Sequence, residues 1–307
     1  MIGMRRLVIV VAVTALAGAA LATWGGVASA REAGPKVAFA AEQAKLPPLP
    51  ADIKARKRWN VAVKCDQPPF GYIGLQSKNA GFDVEIARWF ARFAFGKANR
   101  VTWTCISTAA REPALTTGRV DLVIATFTYN TDRETRIDFS RAYYKATGRL
   151  LVTNSSSVRS LNDLAGKTIA TTSGSVYDRW VKNCFKDTKA IVTDVFSNAL
   201  IAFRDGRADA LMFDDTALLG IAVTDPSYKL TSDLFLAQPY GIGIKQGNTA
   251  LKAWVDSRLN LMKKRDLFFP ILKNTVPPAQ VAPFSKNILR PKQTFGYNQG
   301  DITTVCP

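Results

Sequence analysis

The chain has 307 residues, 41 lysines and arginines against 24 acids, no histidine, and a formal net charge of +17. Without histidine there is no Ser-His or Cys-His nucleophile arrangement and no histidine-containing metal site, so the commonest hydrolytic and zinc chemistries are excluded. The positive balance suits anionic ligands or surfaces as well as nucleic acid. Its residues are scattered apart from Lys54-Ala55-Arg56-Lys57-Arg58, however, and no nucleic-acid motif accompanies that run, which is expected to be a solvated edge.

Arg5 and Arg6 precede an apolar stretch from Leu7 to Ala22 and the small-residue triplet Ala28-Ser29-Ala30, the order of a cleaved secretory signal over residues 1–30. The sixteen apolar residues fall short of the roughly twenty that span a bilayer. Cleavage leaves 277 residues and, with two arginines and no acid removed, a charge of +15. No cysteine precedes Cys65 to take a lipid, so a freely diffusing exported monomer is expected, periplasmic or otherwise extracytoplasmic. The mature length suits two lobes better than one.

Residues 31–57 contain Leu46-Pro47-Pro48-Leu49-Pro50, whose successive prolines disfavour a regular helix or central strand, and are expected to form an N-terminal arm. From Trp59 short apolar runs alternate with helical stretches. Strands are expected at 60–64, 101–105 and 120–125, with helices at 82–95 and 112–117 between them, a β-α-β-α-β series with a parallel sheet. Phe82, Ile86, Trp89, Phe90 and Phe93 recur at helical spacing and are expected to pack a core. A second series follows, with strands at 149–153, 168–172, 191–196 and 208–213 and helices at 176–185 and up to Arg204. Gly166-Lys167 and Gly206-Arg207 punctuate it before strands. Then come the extended Gly241-Ile242-Gly243-Ile244-Lys245 and a long amphipathic helix presenting Leu251, Trp254, Val255, Leu259 and Met262. That G-x-G lacks the third glycine of a dinucleotide site. From Pro277 onward the composition predicts an irregular tail pinned by Cys306.

The four cysteines are an even number in an exported chain, which favours disulfides. With 39, 78 and 121 residues between them they lack the C-x-x-C spacing of a zinc site. Cys65 and Cys105 end two strands expected to be neighbours, close enough to bridge, which pairs Cys184 with Cys306.

Several stretches, in order, carry a resemblance over about residues 58–275. They are Lys64-Cys65-Asp66-Gln67-Pro68-Pro69-Phe70, Gly81-Phe82-Asp83-Val84-Glu85, Thr126 to Arg133, Asp138 to Tyr144, Asp163-Leu164-Ala165-Gly166-Lys167, Thr172-Ser173-Gly174-Ser175, Gly206 to Asp214 and Tyr240-Gly241-Ile242-Gly243-Ile244. Together they resemble the polar amino acid-binding proteins of ABC importers, family three of the bacterial extracellular solute-binding proteins. The resemblance implies an α/β, two-lobe, type II periplasmic-binding-protein-like fold, with two parallel-cored sheets joined by a two-strand hinge. Lobe 1 is then expected at 58–144 plus 241–275, lobe 2 at 145–240, and a C-terminal extension at 276–307.

The resemblance also implies a ligand set with no cofactor. A planar guanidinium holds a carboxylate bidentately and an ammonium needs a carboxylate acceptor. Arg133 matches the family's α-carboxylate clamp and Asp214 its ammonium acceptor, at the C-terminal end of a strand where open α/β sheets gather ligand contacts. Thr126 and Thr128 are expected to add contacts from a strand end. Thr172, Ser173 and Ser175 precede a helix whose N-terminal amides favour an anion, or serve as ordinary caps. Phe82 matches an aromatic that lines the ligand, and Asp215 is expected to cap a helix. Lys64, Arg111 and Thr108 match positions near acidic ligands, so with Arg133 against Asp214 the pocket is expected to be cationic and to take glutamate or aspartate. The expected partner is a membrane permease. The alternatives are an amino-acid sensing subunit for a receptor or kinase, and an exported dehydratase-like enzyme with Glu112 or Asp66 as acid.

Overall fold

The computed structural model describes residues 42–297 and 300–307, so the signal expected at 1–30 and the start of the arm lie outside the described residues. The rest of the arm is ordered against the first sheet. Helix α1 (Ala51–Arg56) starts immediately after Pro50, so no proline sits where it would remove a helical hydrogen bond. It buries Ile53 in the core. Glu42 pairs with Lys264 and Arg265, and the Arg258 guanidinium donates to the Pro47 carbonyl at 3.3 Å.

Strand β1 (Trp59–Val63) leads into a small antiparallel ribbon of β2 (Asp66–Gln67), β3 (Gly71–Ile73) and β4 (Asn79–Ala80). Helix α2 (Phe82–Phe95), β5 (Val101–Cys105), α3 (Arg111–Thr116), β6 (Leu122–Val123), α4 (Thr131–Glu134) and β7 (Ile137–Phe139) follow. The chain then enters a second sheet through the ten-residue β8 (Tyr144–Thr153). This sheet continues with β9 (Thr168–Thr172), α5 (Val176–Cys184), β10 (Lys189–Thr193), α6 (Phe196–Arg204), β11 (Ala210–Asp214), α7 (Asp215–Thr224), β12 (Tyr228–Leu230) and β13 (Phe235–Tyr240). The chain returns to the first sheet with β14 (Gly243–Lys245) and closes with α8 (Thr249–Lys264), α9 (Phe268–Thr275) and α10 (Pro278–Ser285).

The first sheet has the order β5-β1-β6-β14-β7, parallel among β5, β1 and β6 and antiparallel on both sides of β14. The second runs β10-β9-β11-β8-β12, with β10, β9 and β11 parallel and β8 antiparallel to β11, β12 and β13. Each sheet has its own apolar core. Trp254 packs between Trp59 and Phe90 in the first, at ring distances of 5.2 and 5.5 Å. Trp180 stacks on Phe235 at 5.4 Å in the second. The two passages between sheets lie side by side, with Tyr144 opposite Tyr240 and Ala146 opposite Gln238 in the β8–β13 ladder. The architecture is the α/β, two-lobe arrangement expected.

Both disulfides have the expected partners. Val63 is in register with Cys105, which brings Cys65 within 5.5 Å of it between Cα atoms, and Cys184 joins Cys306 at 5.2 Å. The C-terminal extension, by contrast, is not irregular throughout. Pro278 opens α10 at a position where a missing N–H leaves no bond unmade, so adjacent prolines there start a helix.

Candidate functional site

The loop leaving β6 is where the site begins. Thr126 sits at φ 44, a left-handed conformation unusual for a β-branched residue, and three contacts hold it there. Its N–H donates to Asp83 Oδ2 at 2.8 Å, its hydroxyl to Gln67 Oε1 at 2.9 Å, and its carbonyl accepts from Arg111 Nη1 at 3.0 Å. Asp83 is anchored by the Tyr143 hydroxyl at 2.8 Å. Burial pushes its carboxyl up to about 7, against those two hydrogen bonds.

Arg111, at the start of α3, also donates to the Ala125 and Thr108 carbonyls at 3.1 and 3.0 Å. Its guanidinium lies 4.4 Å from the centre of the Phe127 ring, and that of Arg133 lies 5.1 Å from the same centre, so one aromatic ring serves both cations. Burial, then the neighbouring Arg133, brings Arg111 down to about 9, which leaves it charged at neutral pH. Arg133 is placed by α4, whose cap Asn130 accepts its N–H at 2.8 Å. It donates to the Thr128 carbonyl at 2.7 Å, to the Gly174 carbonyl at 2.8 Å, and pairs with Glu112 at 3.3 Å.

The Gly174 contact crosses between the two sheets' domains of packing. Gly174 has φ 73, and a Cβ there would lie 2.7 Å from Ala109 Cα, so only glycine lets the loop before α5 approach this closely. Arg179 with Asp132 (2.6 Å) and the Ser197 N–H with Asp66 Oδ2 (3.2 Å) make further bridges, and the cleft is closed.

From the second sheet, Asp214 ends β11 and accepts from the Tyr177 hydroxyl at 2.6 Å and from the Tyr240 hydroxyl. Burial raises its carboxyl, opposed by these hydroxyls and then by Arg111 and Arg133. Ser175 caps α5, accepting from the Asp178 N–H at 3.1 Å, and Thr128 donates to Gln238 Oε1 at 2.7 Å.

Seven expected residues, Thr108, Arg111, Thr126, Thr128, Arg133, Ser175 and Asp214, line one small cavity of about 20 Å³. Four others lie outside the lining. Lys64 is buried one side chain behind, its Nζ donating to Thr108 Oγ1 at 2.6 Å, and burial followed by Arg111 holds it well below the ordinary lysine range. Phe82 packs in the core against Phe70 at 5.3 Å. Thr172 is fully buried with its hydroxyl unpartnered, and the Ser173 N–H donates to the Thr193 carbonyl at 2.8 Å. Asp215 does not cap its helix; it follows the N-cap Asp214, and its carboxylate turns to the Thr147 N–H at 3.3 Å.

Sequence reasoning missed Gln67, Val176, Tyr177, Phe213 and Gln238, which complete the lining. Gln67 lay within a quoted motif and Phe213 beside Asp214. Gln238 sits on β13, a strand the periodicity did not reveal. Glu112 and Asp66, the candidate acids, are both engaged, Glu112 by Arg133 and Arg136 and Asp66 by the Ser197 N–H.

A glutamine-binding protein of Geobacillus stearothermophilus is 33% identical over 193 residues, covering 62% of this chain and 74% of that protein. The ABC transporter glutamine-binding protein of Bacillus subtilis is 29% identical over 228 residues, covering 74% and 84%. Among solved structures, the L-cysteine solute receptor of Neisseria gonorrhoeae superposes with a TM-score of 0.73 at 28% identity, covering 75% of this chain and 94% of that one. The family model of the bacterial extracellular solute-binding proteins, family 3, matches residues 59–273, and with about 70% of the chain inside that match the protein belongs to this family.

Proposed function

We propose that this protein captures an amino acid outside the cytoplasm and delivers it to the membrane permease of an ABC importer, acting as a monomer with no cofactor. In this reading residues 58–144 with 241–275 form one lobe, 145–240 the other, and β8 and β13 the hinge. The observation that carries it is that Arg111, Arg133 and Asp214 line one cavity, donors for a carboxylate and an acceptor for an ammonium. Contacts from both sheets let a ligand favour closure.

The charge balance favours glutamate or aspartate. Two guanidinium groups face one carboxylate in the lining, with Lys64 behind them, and a second ligand carboxylate offsets the excess. A second reading, glutamine, is favoured by the two glutamine-binding relatives.

Calorimetric titration of protein unfolded in denaturant without reductant, then refolded free of ligand, tests both. Glutamate or aspartate is expected to bind at least about tenfold more tightly than glutamine, or about 1.4 kcal/mol. Arg133→Ala is expected to abolish binding of every amino acid. Wild-type protein preferring glutamine overturns the acidic reading, and binding that survives Arg133→Ala overturns the placing of the carboxylate clamp.

A further inference from the structure

Gln67 was not singled out by its residue type, yet its side chain is only 2% exposed and lines the cavity. One half of its amide is committed. Oε1 accepts the Thr126 hydroxyl, and Thr126 is itself held at positive φ by Asp83 and Arg111. The other half is not. Nε2 is buried and has no hydrogen-bond partner. A buried amide N–H₂ without an acceptor is costly, so the group is in its place for something that arrives.

The surroundings say what arrives. Arg111 contacts the carbonyl of the same Thr126, so Gln67 and Arg111 meet at one residue of the lining, while Arg133 is bound to Thr128 two residues on. Asp214 belongs to the other sheet. If Arg133 and Asp214 hold the α-carboxylate and α-ammonium, Gln67 and Arg111 are the lining groups left to meet the ligand's side chain. A neutral N–H₂ beside a guanidinium offers donors, and donors select an oxygen acceptor.

We infer that Gln67 is a specificity-determining residue, its amide nitrogen donating to a carbonyl or carboxylate oxygen on the side chain of the bound amino acid. This rests on the proposed amino-acid capture and names the feature by which the ligand is chosen.

The test is a titration of wild type, Gln67→Glu and Gln67→Met with glutamate, glutamine and methionine, on protein stripped of ligand. In Gln67→Glu the oxygen facing Thr126 is kept and the donor becomes a carboxylate oxygen. Glutamate then meets like charge, whereas glutamine can turn its amide nitrogen toward the new acceptor. The glutamate-to-glutamine affinity ratio is expected to fall at least about tenfold. Gln67→Met is expected to weaken glutamate and glutamine by about tenfold while leaving methionine within about twofold. Ratios within one variant are insensitive to a misfolded fraction, which scales all ligands alike. A ratio unchanged in Gln67→Glu, or a wild type preferring methionine or another side chain without oxygen, overturns the assignment of Gln67 while amino-acid capture stands. A wild type that binds no amino acid removes both.

Discussion

Three aspartates illustrate the opposite directions in which burial and pairing move a carboxyl. Burial lifts Asp83 to about 7, and burial followed by its neighbour Asp214 lifts Asp215 to about 7, both above the ordinary 3.8. A raised carboxyl binds its proton more tightly in the folded state, so its contribution to stability is full below about 3.8 and is lost as pH rises toward 7. Asp132 behaves oppositely. Arg136, then Arg179, hold it down to about 2, and that contribution is present above 3.8 and lost as pH falls toward 2. Asp83→Asn isolates one group, because asparagine keeps an acceptor for the Thr126 N–H and can donate to Tyr143 without ever carrying charge. Its melting temperature relative to wild type is expected to climb between pH 5 and pH 8, by scanning calorimetry of ligand-free protein. A gap that stays constant across that range shows that Asp83 is not the group titrating.

At the level of elements, what the sequence made legible was what its periodicity could express. Helix α2 occupies 82–95 as read, because its apolar residues fall on one face, and β5 and β9 were bounded correctly by turn residues. Helix α7 was foreseen only through Asp215 as its expected cap and was given no bounds, since Ala217-Leu218-Leu219-Gly220-Ile221-Ala222-Val223 has no polar face to set a period. Strand β13 was hidden by Pro239 and by the register shift between Phe235 and Ala237. The same limit governed the site. Arg133, Asp214, Thr108, Thr126 and Thr128 stand on the cavity, as charge and hydroxyl types suited to a zwitterion led one to expect, whereas Lys64 and Phe82 stand behind its lining, since a motif does not report which side chain stands in front of another. The loop before α5, where Gly174 lies against Ala109 and accepts from Arg133, is the place to test closure. Gly174→Val puts a branched Cβ at φ 73 and within 2.7 Å of Ala109 Cα, so the cleft is expected to close incompletely. Ligand affinity should drop at least about tenfold, and the ligand-bound radius of gyration in X-ray scattering should stay near the ligand-free value. Wild-type compaction in this variant removes close approach at Gly174 as a condition of closure.

For the whole molecule, the C-terminal extension is a third connection between the two packed sheets, beside β8 and β13. Its first part lies against the hinge and first sheet. The Lys145 N–H donates to the Asn287 carbonyl at 2.9 Å, Ile288 bridges Tyr144, and the Tyr297 ring stacks on Tyr129 at 4.0 Å. Its last part belongs to the second sheet. Ile302 joins that core, Trp180 Nε1 donates to the Val305 carbonyl at 2.8 Å, Asn183 to the Thr303 carbonyl at 2.9 Å, Arg179 pairs with Asp301 at 2.9 Å, and Cys306 is bonded to Cys184. Among the described residues the non-covalent contacts on the second side are mostly polar, and the disulfide adds a covalent attachment. Closing a loop of sequence separation 122 restricts the unfolded chain by up to about 5 kcal/mol in the chain-entropy model, with about 2–4 kcal/mol usual in practice. The paired variant Cys184→Ser with Cys306→Ser is therefore expected to melt several degrees lower. A tether that only stabilised the fold would do no more than that. A tether that spans the hinge also limits how far the cleft opens, so the same variant, free of ligand, should show a larger radius of gyration than wild type, while the ligand-bound forms coincide. A lowered melting temperature with no change in the ligand-free dimensions would confine the strap to stability and leave the amplitude of opening to β8 and β13 alone.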